Sequence, residues 1–266
     1  MKQTIAIIGG GNMGQAFALG LLKAKRGAFS LCITNPGTQK LAHLKKRGVT
    51  VLSDNAKAVR EADVVILAVK PQVLLSVLAE IRDSVRSHTL IISIAAGISL
   101  TKIEQALTGK NSIVRVMPNL CANIGESMSV WTANNAVTAG QRKTAQKILQ
   151  SIGEACELTD ENLINAATAI SGSGPAYVFY LTELLAANAQ ELGLTKEVAE
   201  TLAMQTVRGS GLMLKGAKSP VELRVGVTSK GGTTEAAMKE FERLGLSRVF
   251  SEGIKAAVKR AKELDK

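Results

Sequence analysis

The sequence predicts an α/β fold in its first part and an all-helical fold in its second. Three observations carry this. Short, β-branched, mostly apolar runs alternate with helical stretches as far as about residue 158. A glycine-rich segment, Gly9-Gly10-Gly11-Asn12-Met13-Gly14, joins the first apolar run to the first helical one. After about residue 162 the strand pattern stops and only helix-forming segments follow.

The strand candidates are residues 4–8, 30–34, 49–52, 63–69, 89–94 and 112–117. Most are apolar throughout rather than alternating, which suits a parallel sheet covered on both faces. Helix candidates lie between them at residues 13–25, 38–47, 55–61, 73–86 and 100–107. Strand–helix–strand repetition defines a doubly wound sheet. A run at 127–132, a helix at 139–152 and a run at 155–158 are expected to close it. The domain boundary is expected near residue 160, giving domains 1–159 and 160–266. In the second, a long Ala/Leu-rich helix over 175–192 stops at Gly193, and Thr195 caps a helix running to about 215. Ser219-Pro220-Val221-Glu222 has the form of a capping box with proline at the first helical position. A helix over 234–244 ends at Gly245, and Ser247 is expected to cap the last, 248–264.

Composition narrows the class. The chain of 266 residues suits two domains, and 46% hydrophobic content with only 3% aromatic residues calls for an aliphatic core of closely packed helices. No apolar run reaches the ~18 residues of a membrane helix. The first run leads into glycines rather than a cleavage site, so a cytoplasmic protein is expected. Cys32, Cys121 and Cys156 are odd in number and widely spaced, which argues against a disulfide framework. His43 and His88 stand apart from the cysteines, so no metal site is expected. The net charge of +11 is spread among acids, with no basic run interleaved with aromatics. That fits a solvated surface and an attraction for anionic small molecules rather than nucleic acid.

The glycine segment is G-x-G-x-x-G in its proper setting, after a strand and at the start of a helix. That makes the first domain a Rossmann dinucleotide-binding domain. Gly9 permits the tight turn, Gly11 leaves room for a pyrophosphate, and Gly14 lets the helix approach the strand. Free N–H groups and the helix dipole favour the anion. Asn12 and Met13 count with these as cofactor-binding candidates. After the second strand stands Thr34-Asn35-Pro36-Gly37-Thr38, without the acid that would hold a ribose 2′-hydroxyl. Asn35 and Thr38 can donate to a 2′-phosphate, and Lys40 adds charge. NADPH is therefore expected, with NADH the second candidate. Ala68-Val69-Lys70-Pro71, Ala95-Ala96-Gly97 and Asn119 follow the fourth, fifth and sixth strands, where loops line the cofactor crevice.

Two segments of the helical half are more specific: Ser171-Gly172-Ser173-Gly174-Pro175-Ala176-Tyr177 and Val227-Thr228-Ser229-Lys230-Gly231-Gly232-Thr233-Thr234. With Ala68-Val69-Lys70-Pro71 and Val116-Met117-Pro118-Asn119, they resemble the pyrroline-5-carboxylate reductase family over essentially the whole chain. Two departures stand out: Lys230 occupies a position where the family usually has proline, and Leu120-Cys121 replace its usual Thr-Pro. The resemblance implies a helical domain that intertwines with a partner's to make a homodimer, which in the family often builds a larger ring such as a decamer. It implies reduction of a cyclic imino acid to L-proline by hydride from NAD(P)H, the last step of proline biosynthesis.

Site roles follow from the same resemblance. Ser229, Gly231, Gly232 and Thr233 belong to the Gly-rich loop that holds the substrate carboxylate, a task suited to a loop opening a helix. Thr234 lies by the ring nitrogen, as the catalytic candidate. Thr233 and Thr234 are also expected to serve as helix caps. Glu161 matches an acidic position near the substrate, and Asn55 one near the adenosine.

Two other functions compete. A β-hydroxyacid dehydrogenase would rely on a lysine after a Gly-rich helix start, and Gly172-x-Gly174 leads instead into Pro175-Ala176-Tyr177-Val178-Phe179. A nonenzymatic NADPH-binding redox sensor would have no use for the intact Thr228–Thr234 segment.

Overall fold

The computed structural model describes residues 2–24, 29–107 and 111–265. The chain forms two compact units, Met1–Gly172 with Val258–Lys266, and Ser173–Ala257.

The first unit is built on one eight-stranded sheet. Its strands are β1 (Gln3–Ile8), β2 (Phe29–Thr34), β3 (Thr50–Leu52), β4 (Val64–Leu67), β5 (Leu90–Ser93), β6 (Ser112–Met117), β7 (Ser127–Ala133) and β8 (Gly153–Glu157). They lie in the order β3-β2-β1-β4-β5-β6-β7-β8. Helices α1 (Asn12–Ala24), α2 (Ala42–Lys45), α3 (Asn55–Arg60), α4 (Pro71–Ile81), α5 (Leu100–Ala106), α6 (Ala139–Leu149) and α7 (Leu163–Ala167) belong to the same unit. The order reverses direction at β1 and β4, the switch point where such sheets bind ligands. Register is in step across the centre: Ile7 pairs with Ile33 on one side and Ile66 on the other.

The all-apolar strands are explained by two cores. Ile5 and Ile7 pack with Phe17, Leu21 and Trp131, whereas Ala6 and Ile8 pack with Leu74, Leu78 and Ile91. Successive side chains point to opposite faces of a strand, so a sheet buried on both sides needs apolar residues at every position.

Several boundaries differ from expectation. The helix expected over 38–47 is a 3₁₀ turn, Thr38–Leu41, followed by the short α2. The helix expected over 73–86 begins earlier, at Pro71, with Lys70 as its N-cap, and gives way after Ile81 to a 3₁₀ turn. The expected end of α1, Lys25, lies outside the described residues. β7 runs antiparallel to β6. The link between them, residues 118–126, holds only a 3₁₀ turn and is shorter than the dozen or so residues of a parallel crossover. The return through α6 then makes β8 parallel to β7. The first unit continues past residue 160 to Gly172, because α7 packs on β7 and Glu161 pairs with Arg115 of β6.

The second unit contains α8 (Gly174–Glu191), α9 (Lys196–Met213), α10 (Pro220–Gly226), α11 (Thr233–Arg243) and the start of α12 (Leu246–Leu264). Its local signals behave as expected. Gly193 and Gly245 adopt φ of +95° and +79° at helix ends. Thr195 accepts a hydrogen bond from the Val198 amide. Ser219 and Glu222 form both halves of a capping box, and the Ser219 bonds hold the Glu222 carboxyl below the usual range. Ser247 does not cap: α12 starts at Leu246, two residues before the expected 248, directly after Gly245, whose carbonyl accepts from the Val249 amide. Within these helices only Ala199 and Ala203 are buried, while Phe179, Tyr180, Leu181, Leu202 and Phe250 are exposed. Apolar surface on this scale marks an interaction face.

Candidate active site

Two glycines of the first turn do what their spacing predicts. Gly9 has φ +109°, and a Cβ there would lie 2.5 Å from the Ala68 carbonyl oxygen at the end of β4. A Cβ at Gly14 would overlap the Gly9 carbonyl, so this glycine seats α1 on the turn. Gly11 is different. A Cβ there meets nothing within 4 Å, so the position faces open space. An open cradle at a helix N-terminus fits a pyrophosphate. Gln15 braces the turn by donating from Nε2 to the Gly10 carbonyl at 2.8 Å.

The adenosine-side candidates are brought together at the end of β2. Thr34 donates its hydroxyl to Asn55 Oδ1 at 2.6 Å, and Asn55 Nδ2 donates to Glu80 Oε2 at 2.9 Å. Asp54, not Asn55, caps α3. Asn35 donates from Nδ2 to the Gly37 carbonyl at 2.8 Å, which leaves one amide hydrogen for another acceptor. Lys70 and Pro71 open α4 just beyond β4. Asn119 is nearly buried and occupied with structure: Oδ1 accepts from the Cys121 amide at 3.1 Å and Nδ2 donates to the Ser171 carbonyl at 3.0 Å.

Arg115 was not among the sequence candidates, yet it organises the carboxyl edge of β6. Its side chain is only 4% exposed and pairs with Glu161 at 2.8 Å and Asp265 at 2.7 Å. A buried guanidinium is tolerated only when its charge and donors are matched. Glu161 Oε1 also accepts from the Leu100 amide at 2.8 Å, so it holds the start of α5 as well. Asp265 accepts from Asn165 Nδ2 at 2.6 Å, and its backbone carbonyl accepts from Lys102 Nζ at 3.0 Å. A small cavity lies beside this cluster, lined in part by Ala95, Ala96, Gly97, Met117 and Thr168. One signal for Arg115 stands in the sequence: a lone cation in an otherwise apolar strand needs a partner.

The second candidate loop opens α11. Gly232 is its N-cap and no side chain caps it, so Thr233 and Thr234 are the first two helical residues rather than caps. Among the described residues neither threonine hydroxyl has a hydrogen-bond partner. Their amides begin the helix without intrahelical acceptors. Gly231, at φ +74°, donates its amide to Glu235 Oε2 at 2.6 Å. That bond, with Lys239 nearby, holds the Glu235 carboxyl below the usual range. The loop thus already binds one carboxylate, its own.

No group of three or more His, Cys, Asp or Glu that could hold a metal occurs among the described residues. Cys32 is buried, which pushes its thiol up to about 11 and makes it a poor nucleophile. No helix among the described residues is long and apolar enough to cross a membrane.

A Rossmann sheet with an open glycine cradle, together with helices that expose large apolar faces, is the architecture of a dinucleotide-binding protein with an interaction region. Comparisons with known proteins narrow this. Residues 161–264 match the family model described as pyrroline-5-carboxylate reductase dimerisation. Residues 4–97 match one described as NADP oxidoreductase, coenzyme F420-dependent. The chain is 38% identical to a pyrroline-5-carboxylate reductase of Corynebacterium melassecola, over 99% of both chains. It is 39% identical to that of Pseudomonas aeruginosa, over 98% of this chain and 96% of the other. The solved pyrroline-5-carboxylate reductase of Coxiella burnetii superimposes with a TM-score of 0.94, at 40% identity over 100% of both chains. That of Plasmodium falciparum, solved with NADP bound, gives 0.85 at 30% identity, over 99% of this chain and 98% of the other. The chain belongs to the pyrroline-5-carboxylate reductase family, and its dimerisation region implies a homodimer.

Proposed function

We propose that the chain reduces pyrroline-5-carboxylate to L-proline with NADPH as hydride donor, in the cytoplasm. The observation that carries this is the opening of α11, where unpartnered threonine hydroxyls and N–H groups stand in a Gly-rich loop. The residues of the first unit support the cofactor half of the reading. Gly11 leaves the cradle open, Gly9 and Gly14 shape it, and Asn12 and Met13 start the helix whose dipole favours the pyrophosphate. Asn35, Thr38 and Lys40 offer donors and positive charge to a 2′-phosphate, with no acid to repel it. Asn55, fixed by Thr34 and Glu80, stands at the adenosine. Ala68-Val69-Lys70-Pro71 and Ala95-Ala96-Gly97 are small or backbone-presenting and line the crevice toward the nicotinamide. When bound, the cofactor supplies the hydride.

The chain's own work is to hold the imine and manage its charge. Ser229, Gly231, Gly232 and Thr233 receive the substrate carboxylate, with Glu235 yielding the Gly231 amide to it. Thr234 offers its hydroxyl to the ring nitrogen, and an unassisted threonine is too weak an acid to be the ultimate proton source, which leaves that task to water. Glu161 acts through Leu100 and Arg115 rather than on the substrate. Asn119 acts through Ser171. Residues 160–266 supply substrate binding and the dimer contacts, and dimers assemble into a larger ring such as a decamer.

The test is oxidation of NADPH in the presence of pyrroline-5-carboxylate, with proline identified as product. Absence of turnover by a folded dimer would remove the proposal.

A further inference from the structure

We infer that Asp265 is a positioning residue for the cofactor: held by Arg115, it fixes the last turn of α12 against the Ala95–Gly97 loop and so sets where the nicotinamide half can lie. This rests on the reading of that loop as part of the cofactor crevice.

The contact is close and depends on glycine. Gly97 has φ +70°, and a Cβ there would lie 2.6 Å from the Leu264 carbonyl oxygen. The loop backbone therefore lies directly against the backbone of that last turn. Ala95 is buried in the core, but the main chain of the loop is sparsely bonded. The amides of Ala96 and Gly97 have no backbone partner among the described residues, and Ala95 donates to Ser93 Oγ at a long 3.4 Å.

The turn itself is held from three elements. Arg115 of β6 donates to Asp265 Oδ1, Asn165 of α7 donates to Oδ2, and Lys102 of α5 donates to the Asp265 carbonyl. Both carboxylate oxygens and the main chain are engaged in this way. The two bonds from charged donors are of the strong, directional kind that fix geometry. The partners come from 163, 150 and 100 residues away in sequence, so local helix formation would not require them. All lie at the carboxyl edge of β5 and β6, the edge where ligands of such sheets bind. The arrangement makes Leu264 a fixed wall behind a loop with few main-chain hydrogen bonds of its own. Releasing Asp265 frees the wall and lets the loop relax.

The experiment compares Asp265→Asn, Asp265→Ala and Asp265→Glu in the full chain, by melting temperature, by KM for each substrate and by kcat. The Asp265 side chain is 20% exposed, at the end of a helix, so its replacement does not open the core. The expected result for Asn and Ala is a raised KM for NADPH with a smaller change for the imine. A displaced nicotinamide should also lower kcat by about tenfold to a hundredfold. Glu, which keeps the charge, recovers part of both. If the folded Asn and Ala variants have wild-type kinetics, whatever their melting temperatures, the inference is overturned. The same holds if both KM values and kcat change in equal proportion. Should neither variant fold, Lys102→Met, which releases the same turn through its carbonyl, carries the same expectation. Ala96→Val separates the inference from the reading beneath it. If Ala96→Val leaves NADPH binding intact, the loop is not part of the crevice and both fall. If it weakens NADPH while Asp265→Asn does not, the inference alone falls.

Discussion

Gly11→Ala should separate folding from function at a single methyl group. In the unliganded protein the new Cβ meets nothing within 4 Å, and Gly11 is not among the glycines at positive φ. Alanine therefore fits without strain and narrows the unfolded ensemble, a gain of about 0.4–1 kcal/mol. For a chain of this size that raises the melting temperature by roughly 1–4 °C. The same methyl stands in the space a pyrophosphate would fill. Losing one charge-assisted hydrogen bond costs about 1.5–3 kcal/mol, or roughly ten- to a hundredfold in Kd. The variant should melt at or above the wild type alone, yet gain less from added NADPH. Gly9→Ala supplies the contrast. Its φ of +109° and the 2.5 Å approach to Ala68 make it unfavourable in the empty protein, so its melting temperature should fall without any ligand. Thermal melts with and without NADPH, and a fluorescence titration, read both quantities. A Gly11→Ala protein with a lowered melting temperature and an unchanged Kd would refute the assignment of Gly11 to the ligand.

Three further outcomes are expected. Asn35→Asp should raise KM for NADPH far more than for NADH, because the new carboxylate repels a 2′-phosphate; equal effects in steady-state kinetics would contradict the NADPH reading. Thr234→Ala should lower kcat/KM for the imine by roughly ten- to a hundredfold, the loss of one hydrogen bond to a charged group. Its melting temperature should hardly change, since the hydroxyl caps nothing, and Thr234→Ser should keep most of the activity. Glu235 should contribute to stability at pH above its unfolded pKa. Because its folded pKa is lowered, by the Gly231 amide first and Lys239 second, that contribution is lost as pH falls through the folded value. The melting-temperature difference between wild type and Glu235→Gln, followed from neutral to acid pH, should shrink on that limb; a difference that grows there would reverse the sign.

Local signals in the sequence were read correctly where the physics is local. Gly9 and Gly14 shape the first turn as their spacing implies, because each concerns a turn of a few residues. The Ser219–Glu222 capping box, Thr195 and the stops at Gly193 and Gly245 involve partners within one helical turn. The junctions between helices were harder. Ser247 has the right chemistry for a cap, but Gly245 turns the chain so tightly that α12 has begun by Leu246. Thr233 and Thr234 look like caps for the same reason, yet Gly232 takes the position.

The sequence alone determined the doubly wound half, the helical half and the family to which the chain belongs. Apolar runs, glycine spacing and two short motifs carry that information without any distant contact. The packed structure was needed for the reach of the first unit to Gly172 and for the partners of Glu161 and Asn119. It alone brought Arg115 to Asp265. These depend on residues 46, 52 and 150 positions apart. A buried charge announces in the sequence that it needs a partner, but which carboxylate answers depends on where the strands and helices finally pack.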